Sequence, residues 1–240
     1  MFYVWKLKKM IGIQFMVIGI CFITFASVKS NSEKEIEVFS ADAEPSYTIV
    51  VDAGHGEPDG GAVSRNGIAE SGLNLEIALK LERELDALGY QVILTRSTEM
   101  NIADNDKQTP IRAMKVSDIN NRIKIVNESE ADMLISIHMN NFENSKYYGW
   151  QTFYKKNSEV SQKIAENIQT GISNQIEREN ERVALPINNI KLIDQSKIPA
   201  IIVECGFLSN EEDLRLLLTE EYQMQLVNGI VEGIEKIYEM

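Results

Sequence analysis

Histidine is scarce in this 240-residue chain, and both copies stand where catalysis could use them. His55 follows the apolar run TIVVDAG, and His138 ends the run LISIH. Both runs are strand candidates, and open α/β sheets place their functional sites just beyond the C-terminal ends of strands. Either histidine taken singly is better explained by a hydrogen bond within a loop. Their significance therefore depends on the residues around them.

The first histidine lies in the glycine-rich segment DAGHGEPDGGA, which is followed by Glu70 at the start of a predicted helix. Two histidines and a glutamate, with one position left for water, form the donor set that catalytic zinc requires. The separation of fifteen positions between His55 and Glu70 does not fit the HExxH motif, and Pro58 stands where an HxxE motif needs glutamate. The residues therefore favour a zinc site made of His55, Glu70 and His138 without establishing it.

A second carboxylate of interest is Glu204, which ends the apolar run AIIVE and precedes Cys205 and Gly206. Ionised carboxylates are rarely buried unless they are paired, bound to a metal or catalytic. One interpretation is a strand-end glutamate that pairs with a nearby arginine or lysine. The other is a general base for hydrolysis. The position of Glu204 in the strand favours neither interpretation.

Six short apolar runs are strand candidates, and near-continuous apolar character indicates strands that are covered on both faces. These runs are residues 47–51, 91–95, 133–137, 151–154, 190–193 and 200–203.

Helical periodicity separates most of these runs. Apolar residues recur at helical spacing from Leu73 to Leu88, and Gly89 then favours termination. Further helices are predicted over residues 118–128, 157–178 and 211–238. The alternation predicts an α/β fold, with a single domain whose twisted, mostly parallel sheet is flanked by helices on both faces.

The N-terminal residues differ in kind from the rest. Lys6, Lys8 and Lys9 precede an uncharged, mostly apolar stretch over residues 10–28. Its length is close to the roughly 20 residues that span a bilayer, so residues 1–28 are predicted to be a signal peptide or a membrane anchor. Residues 29–44 are polar, as expected of a linker, and the folded domain is assigned to 45–240. The lysines place that domain outside the cytoplasmic membrane.

Charge and cysteine content exclude some classes of protein. A formal net charge of −12 disfavours nucleic acid as a partner, because phosphate binding needs clustered lysine and arginine. An acidic, solvated surface is the simpler interpretation. Of the two cysteines, Cys21 lies in the apolar N-terminal stretch. No disulfide is therefore expected around Cys205 within the domain.

Four segments together resemble the N-acetylmuramoyl-L-alanine amidase family of the AmiC and CwlB type. They occur in the family's order and cover nearly the whole domain, and they read TIVVDAGHGEPDGGAV, GIAESGLNLEIALKLERELDALGYQVILTR, ADMLISIHMN and PAIIVECGFLSNEED. The resemblance implies one zinc ion per chain, bound by His55, Glu70 and His138, with Glu204 as the catalytic residue. It also implies hydrolysis of the amide between N-acetylmuramic acid and L-alanine in peptidoglycan. Ser71 replaces a lysine that is common in the family, without affecting these four positions.

Within the family, the GWQTFY segment, the short length and the single N-terminal apolar segment resemble members that act in sporulation. This implies peptide removal from spore-cortex peptidoglycan in the forespore intermembrane space, muramic-δ-lactam formation needed for germination, and an exported lipoprotein as a possible activator. The alternatives are a vegetative autolysin, a zinc peptidase that cuts within the stem peptide, and an inactive wall-binding scaffold. Arg182 and Lys191 are interpreted as surface charges, and Asn140 as a strand-end cap.

Overall fold

The computed structural model describes residues 47–104 and 109–238, so the predicted segments 1–28 and 29–44 lie outside the described residues. The strands are β1 (Thr48–Ala53), β2 (Gln91–Leu94), β3 (Met133–Asn140), β4 (Gln151–Lys155), β5 (Leu185–Ile187) and β6 (Ala200–Phe207). The helices are α1 (Glu70–Ala87), α2 (Ile111–Glu128), α3 (Glu159–Gln175), α4 (Lys191–Gln195), α5 (Glu211–Leu217) and α6 (Glu220–Tyr238).

These strands form one six-stranded sheet in the order β2-β1-β3-β6-β4-β5. Strands β2, β1, β3 and β6 are parallel to their neighbours, β4 runs antiparallel to β6, and β5 is parallel to β4. The carboxyl ends of β1, β3 and β6 therefore meet at one edge of the sheet. The predicted α/β fold with a mostly parallel sheet is confirmed.

Apolar side chains cover both faces of the sheet. Ile49 and Val51 of β1 belong to a cluster that includes residues of α1, α3, α5 and α6. Val50, which points to the other face, packs in a second cluster with Ile123 of α2 and Leu192 of α4. This double coverage explains why the central strands read as continuous apolar runs.

One predicted strand is wrong and one strand was not predicted. Residues 190–193 do not form a strand, because Lys191 begins the short helix α4 and its apolar residues Leu192 and Ile193 are buried against the sheet. The run is too short for periodicity to separate a strand from a buried helical turn. The strand β5 is mostly exposed and contains Pro186, which is tolerated at a sheet edge.

Two helix boundaries also differ from the prediction. The helix α2 begins directly after Pro110, earlier than predicted. The predicted helix over 211–238 is two helices, α5 and α6, which are separated at Leu218 and Thr219. The Thr219 hydroxyl accepts a hydrogen bond from the backbone N–H of Tyr222 and so caps the start of α6. None of the helices within residues 47–104 and 109–238 combines the length and apolar character needed to cross a bilayer.

Candidate metal centre

The structure brings His55, Glu70 and His138 together at the carboxyl edge of the sheet. Ala53 at the end of β1 is the register partner of Ile137 in β3, so the two histidines emerge side by side. Glu70 is the first residue of α1 and reaches the same place from the following segment. One ligand atom from each of the three residues lies within 4.8 Å of the others. The three predicted ligands therefore form a compact donor cluster.

The Glu70 carboxylate is buried and held by the backbone on both sides. Its Oε2 accepts a hydrogen bond from the N–H of Ala62 at 2.8 Å, and its Oε1 accepts from the N–H of Met139 at 3.1 Å. Asn74, one helical turn later, donates to Oε1 at 3.2 Å and to the carbonyl of Gly54 at 3.0 Å. The carboxylate is thus fixed before any ligand binds.

Each histidine presents one nitrogen to Glu70. His138 Nδ1 lies 2.9 Å from Glu70 Oε1, and His55 Nε2 lies 3.4 Å from Oε2. The other ring nitrogen of His55, Nδ1, contacts Asp59 Oδ2 at 3.1 Å, and Lys115 Nζ contacts Asp59 Oδ1 at 2.7 Å. A carboxylate on the far nitrogen is the usual way in which a metal-binding imidazole is oriented.

Electrostatic coupling in this cluster is strong. Burial disfavours the protonated imidazole of His55, but the hydrogen bond and the charge of Glu70 outweigh this effect and raise its pKa to about 9. Burial would raise the pKa of Glu70, but its hydrogen bonds with His138 and His55 hold that pKa far below the usual range. The carboxylate is therefore ionised, and a proton competes with any cation for the imidazole of His55.

Two glycines lie so close to the donor side chains that any larger residue would overlap with them. A Cβ placed on Gly54 would lie 2.4 Å from Nε2 and Cε1 of His138. A Cβ on Gly61 would lie 2.6 Å from Glu70 Oε2 and 2.7 Å from His55 Cδ2. The glycine-rich segment thus permits close approach of its backbone to the three donor side chains.

Glu204 lies beside this cluster on β6. Its Oε2 is shielded from solvent and has no hydrogen-bond partner, and among the described residues it forms no ion pair with arginine or lysine. Burial raises the pKa of its carboxyl to about 7, since it outweighs the lowering effect of His138, and the charge of Glu70 adds to the rise. Within the described part of the chain, no arginine or lysine thus supports the interpretation of Glu204 as a structural ion-pair partner.

The remaining candidates have structural contacts. Arg182 donates to the carbonyl of Tyr148 and to Gln151 Oε1, each at 2.8 Å, and so holds the segment before β4. Lys191 Nζ contacts Asn120 Oδ1 at 2.5 Å. Asn140 is the last residue of β3, and its carbonyl accepts a hydrogen bond from the N–H of Leu208 at 2.8 Å.

Sequence reasoning missed several residues around the cluster. Asp59 was detectable, because it lies four positions after His55 in the glycine-rich segment, and Asn74 was detectable one turn after Glu70. Lys115 comes from α2, far away in the chain, and no local pattern indicates its contact with Asp59.

The carboxyl edge of the sheet, the donor cluster and the adjacent Glu204 together define an α/β domain with a candidate metal centre. Residues 49–236 match the N-acetylmuramoyl-L-alanine amidase family, and the chain belongs to that family. It is accordingly an amidase that acts on peptidoglycan, and the predicted family and activity are confirmed.

Similar proteins support this membership. The chain is 34% identical over 190 residues to the germination-specific N-acetylmuramoyl-L-alanine amidase of Bacillus subtilis (strain 168), covering 79% of each chain. It resembles the structure of the CwlD amidase from Clostridioides difficile in complex with the GerS lipoprotein, with 38% identity, a TM-score of 0.78, and coverage of 80% of this chain and 98% of that chain. An N-acetylmuramoyl-L-alanine amidase from Clostridium difficile 630 gives 30% identity, a TM-score of 0.71, and coverage of 82% and 98%.

Proposed function

We propose that the chain is a zinc-dependent amidase in which His55, Glu70 and His138 bind the metal and Glu204 transfers protons. The observation that carries this proposal is the unpartnered, solvent-shielded Oε2 of Glu204 beside a cluster of three donor side chains. A buried carboxylate oxygen without a partner is costly, and such groups concentrate at functional sites.

The donor cluster suits zinc on the basis of its chemistry. Two imidazole nitrogens and one carboxylate oxygen leave a further position open, as in catalytic zinc sites. Zinc in such a site supplies Lewis-acid chemistry, which polarises an amide carbonyl and acidifies water. Asp59 keeps Nδ1 of His55 engaged and leaves Nε2 directed at the cluster. Glu70 is held by two backbone N–H groups and cannot swing away without breaking both.

Glu204 performs the proton transfers in this mechanism. Its free Oε2 accepts a proton from the attacking water and then delivers it to the nitrogen of the departing L-alanine. A pKa of about 7 matches both steps, because an efficient acid–base catalyst titrates near the working pH. Position and pKa thus both support the proposed role of this carboxylate.

The nature of the cleaved bond is tested by analysing the products. The full-length chain, zinc-loaded or metal-free, is incubated with purified peptidoglycan, and the released fragments are analysed by mass spectrometry. Intact stem peptides with free L-alanine amino termini are expected only from the zinc-loaded protein. Fragments cut within the stem would instead identify a peptidase, and equal release by the metal-free protein would exclude the zinc mechanism. Absence of any release would favour an inactive scaffold.

We further propose a role in the spore cortex, where removal of whole stems prepares muramic acid for δ-lactam formation and later germination. This is supported by the similarity to a germination-specific amidase and to the CwlD amidase. The CwlD relative was solved in complex with a lipoprotein, which supports an exported lipoprotein as activator. Residues 1–28 would direct the chain to the forespore intermembrane space. Deletion of the gene should yield spores without muramic-δ-lactam, whereas normal lactam content would indicate vegetative wall turnover.

A further inference from the structure

A buried charge network underlies the three donor residues and has no part in the proton transfers. It consists of Asp52, Arg96 and Arg122, which are 1%, 3% and 1% exposed. Buried guanidinium groups are unusual, because their desolvation is expensive and apolar replacements of similar size are often at least as stable. Stability alone therefore does not explain why two buried guanidinium groups, those of Arg96 and Arg122, lie next to each other.

Arg122 of α2 holds the backbone that carries His55. It donates to the carbonyl of Ala53 at 2.7 Å and also to the carbonyl of His55. Its position is fixed by Asp52 Oδ1 at 2.6 Å and by Asp118 Oδ2 at 2.9 Å. His55 has a φ of 59°, in the left-handed region that non-glycine residues rarely adopt. The guanidinium therefore stabilises an uncommon backbone conformation at a proposed ligand.

Arg96 links the segment of the first histidine to the start of α1. Its Nε donates to the carbonyl of Ala53 at 2.8 Å. Its Nη2 donates to the carbonyl of Gly54 at 2.9 Å and to the carbonyl of Ser71 at 2.8 Å. Gly54 precedes His55, and Ser71 follows Glu70. One planar group thus sets the separation between the backbones of two proposed ligands.

The third ligand is connected through Asp52. This carboxylate accepts from Ser136 Oγ at 2.5 Å and from Thr95 Oγ1 at 2.7 Å. Ser136 lies two positions before His138 on β3. For each of the three proposed ligands, a residue of the network is therefore hydrogen-bonded to the ligand itself or to a residue within two positions of it along the chain.

We propose that Arg96 and Arg122 are positioning residues for the metal centre, which fix the three ligand backbones relative to one another and thereby set the affinity for zinc. The rigid fork of a guanidinium can hold two carbonyl groups at once, which the single ammonium of lysine does not reproduce. Groups that orient metal ligands typically change metal affinity about 10- to 100-fold when they are mutated. This proposal rests on the ligand set of the proposed function.

The test uses Arg96→Lys and Arg122→Lys in the full-length chain, since lysine keeps the charge and removes the fork. Zinc affinity is measured by competition with a chromophoric chelator, and the ligand geometry by the visible absorption of the Co²⁺-substituted protein. Lys80→Met is the matched control. Lys80 is a buried cation whose contacts, with Gln223 and Glu220, lie outside the donor cluster.

Both arginine variants are expected to bind zinc about 10- to 100-fold more weakly and to show an altered Co²⁺ spectrum. The control should lose thermal stability and keep both metal properties. Wild-type affinity and spectrum in the folded arginine variants would overturn the positioning role. Absence of zinc binding by the wild-type chain would instead overturn the proposed ligand set.

If neither arginine variant folds, Ser136→Ala tests the positioning proposal instead. It removes one hydroxyl from Asp52 and leaves both guanidinium groups in place. A several-fold loss of zinc affinity is expected, with a cooperative thermal transition retained. Unchanged affinity and an unchanged Co²⁺ spectrum in this variant would overturn the proposal.

Discussion

Glu204 and His138 are register partners on the neighbouring parallel strands β6 and β3. Directly paired residues of adjacent strands point to the same face of a sheet. The backbone pairing therefore places the half-buried carboxylate of Glu204 beside a donor imidazole, and the same pairing continues through Val203 and Ile137. The position of Glu204 consequently depends on the sheet itself and needs no ion pair to maintain it.

Glu204→Gln should abolish most turnover and leave zinc binding intact. The amide has nearly the shape of the carboxylate but cannot accept the proton of water, and acid–base groups contribute about 10² to 10⁴ in rate. The measurement is kcat for stem-peptide release by the zinc-loaded protein. Glu235→Gln, an exposed change on α6, is the matched control and should be silent. A near-wild-type kcat would remove Glu204 from the mechanism.

Glu204→Gln should also change how the stability of the metal-free protein depends on pH. The folded-state pKa of Glu204 is raised from 4.5 to about 7, so the unfolded state loses its proton first as the pH rises. Stability contributed by the neutral carboxyl is fully present below pH 4.5 and is lost as the pH rises through 7. One pKa unit corresponds to about 1.4 kcal/mol, so the loss amounts to a few kcal/mol.

Glu204→Gln has no such titration. Relative to wild type, it should therefore become more stable between pH 5 and pH 8.5, as measured by urea unfolding in the presence of a chelator. Parallel pH profiles for the two proteins would show that the carboxyl is not desolvated in solution. Glu235→Gln again serves as the control and should follow the wild-type profile.

Zinc removal should destabilise the wild-type chain, and neither His55→Ala nor His138→Ala should respond to zinc. A ligand that binds only the folded state at about 100 times its Kd stabilises that state by about 2.7 kcal/mol. Thermal unfolding with added zinc or with chelator measures this difference, and elemental analysis gives the metal content. Zinc should raise the Tm of wild type and have little effect on either variant. An equal rise in all three proteins would place the metal elsewhere.

The sequence was sufficient for the fold class and for the placement of both histidines, because long apolar runs and strand ends are local features. The misassigned residues 190–193 and the missed strand β5 are short, and their states depend on tertiary packing. No sequence pattern indicates the contacts of Arg96 and Arg122, since their partners are backbone carbonyls of residues distant in the chain. Composition cannot indicate which carbonyl a guanidinium will meet.

Gly54→Ala should disturb the donor cluster without straining the backbone of position 54. The added Cβ would lie 2.4 Å from Nε2 and Cε1 of His138, closer than real Cβ contacts allow, so the imidazole must move. His138 Nδ1 then loses its place 2.9 Å from Glu70 Oε1. Zinc affinity and kcat should both fall by about 10-fold or more, as for other changes that misplace a ligand.

Gly72→Ala is the matched control for this substitution, because a Cβ there meets nothing within 4 Å. Gly72 is exposed within α1, and alanine is favoured over glycine in a helix by about 1 kcal/mol. The control should therefore raise Tm slightly and leave zinc affinity and kcat unchanged. Chelator competition and kcat are measured for both proteins. If Gly54→Ala behaved like Gly72→Ala, the His138 ring would not occupy the position that the glycine leaves open.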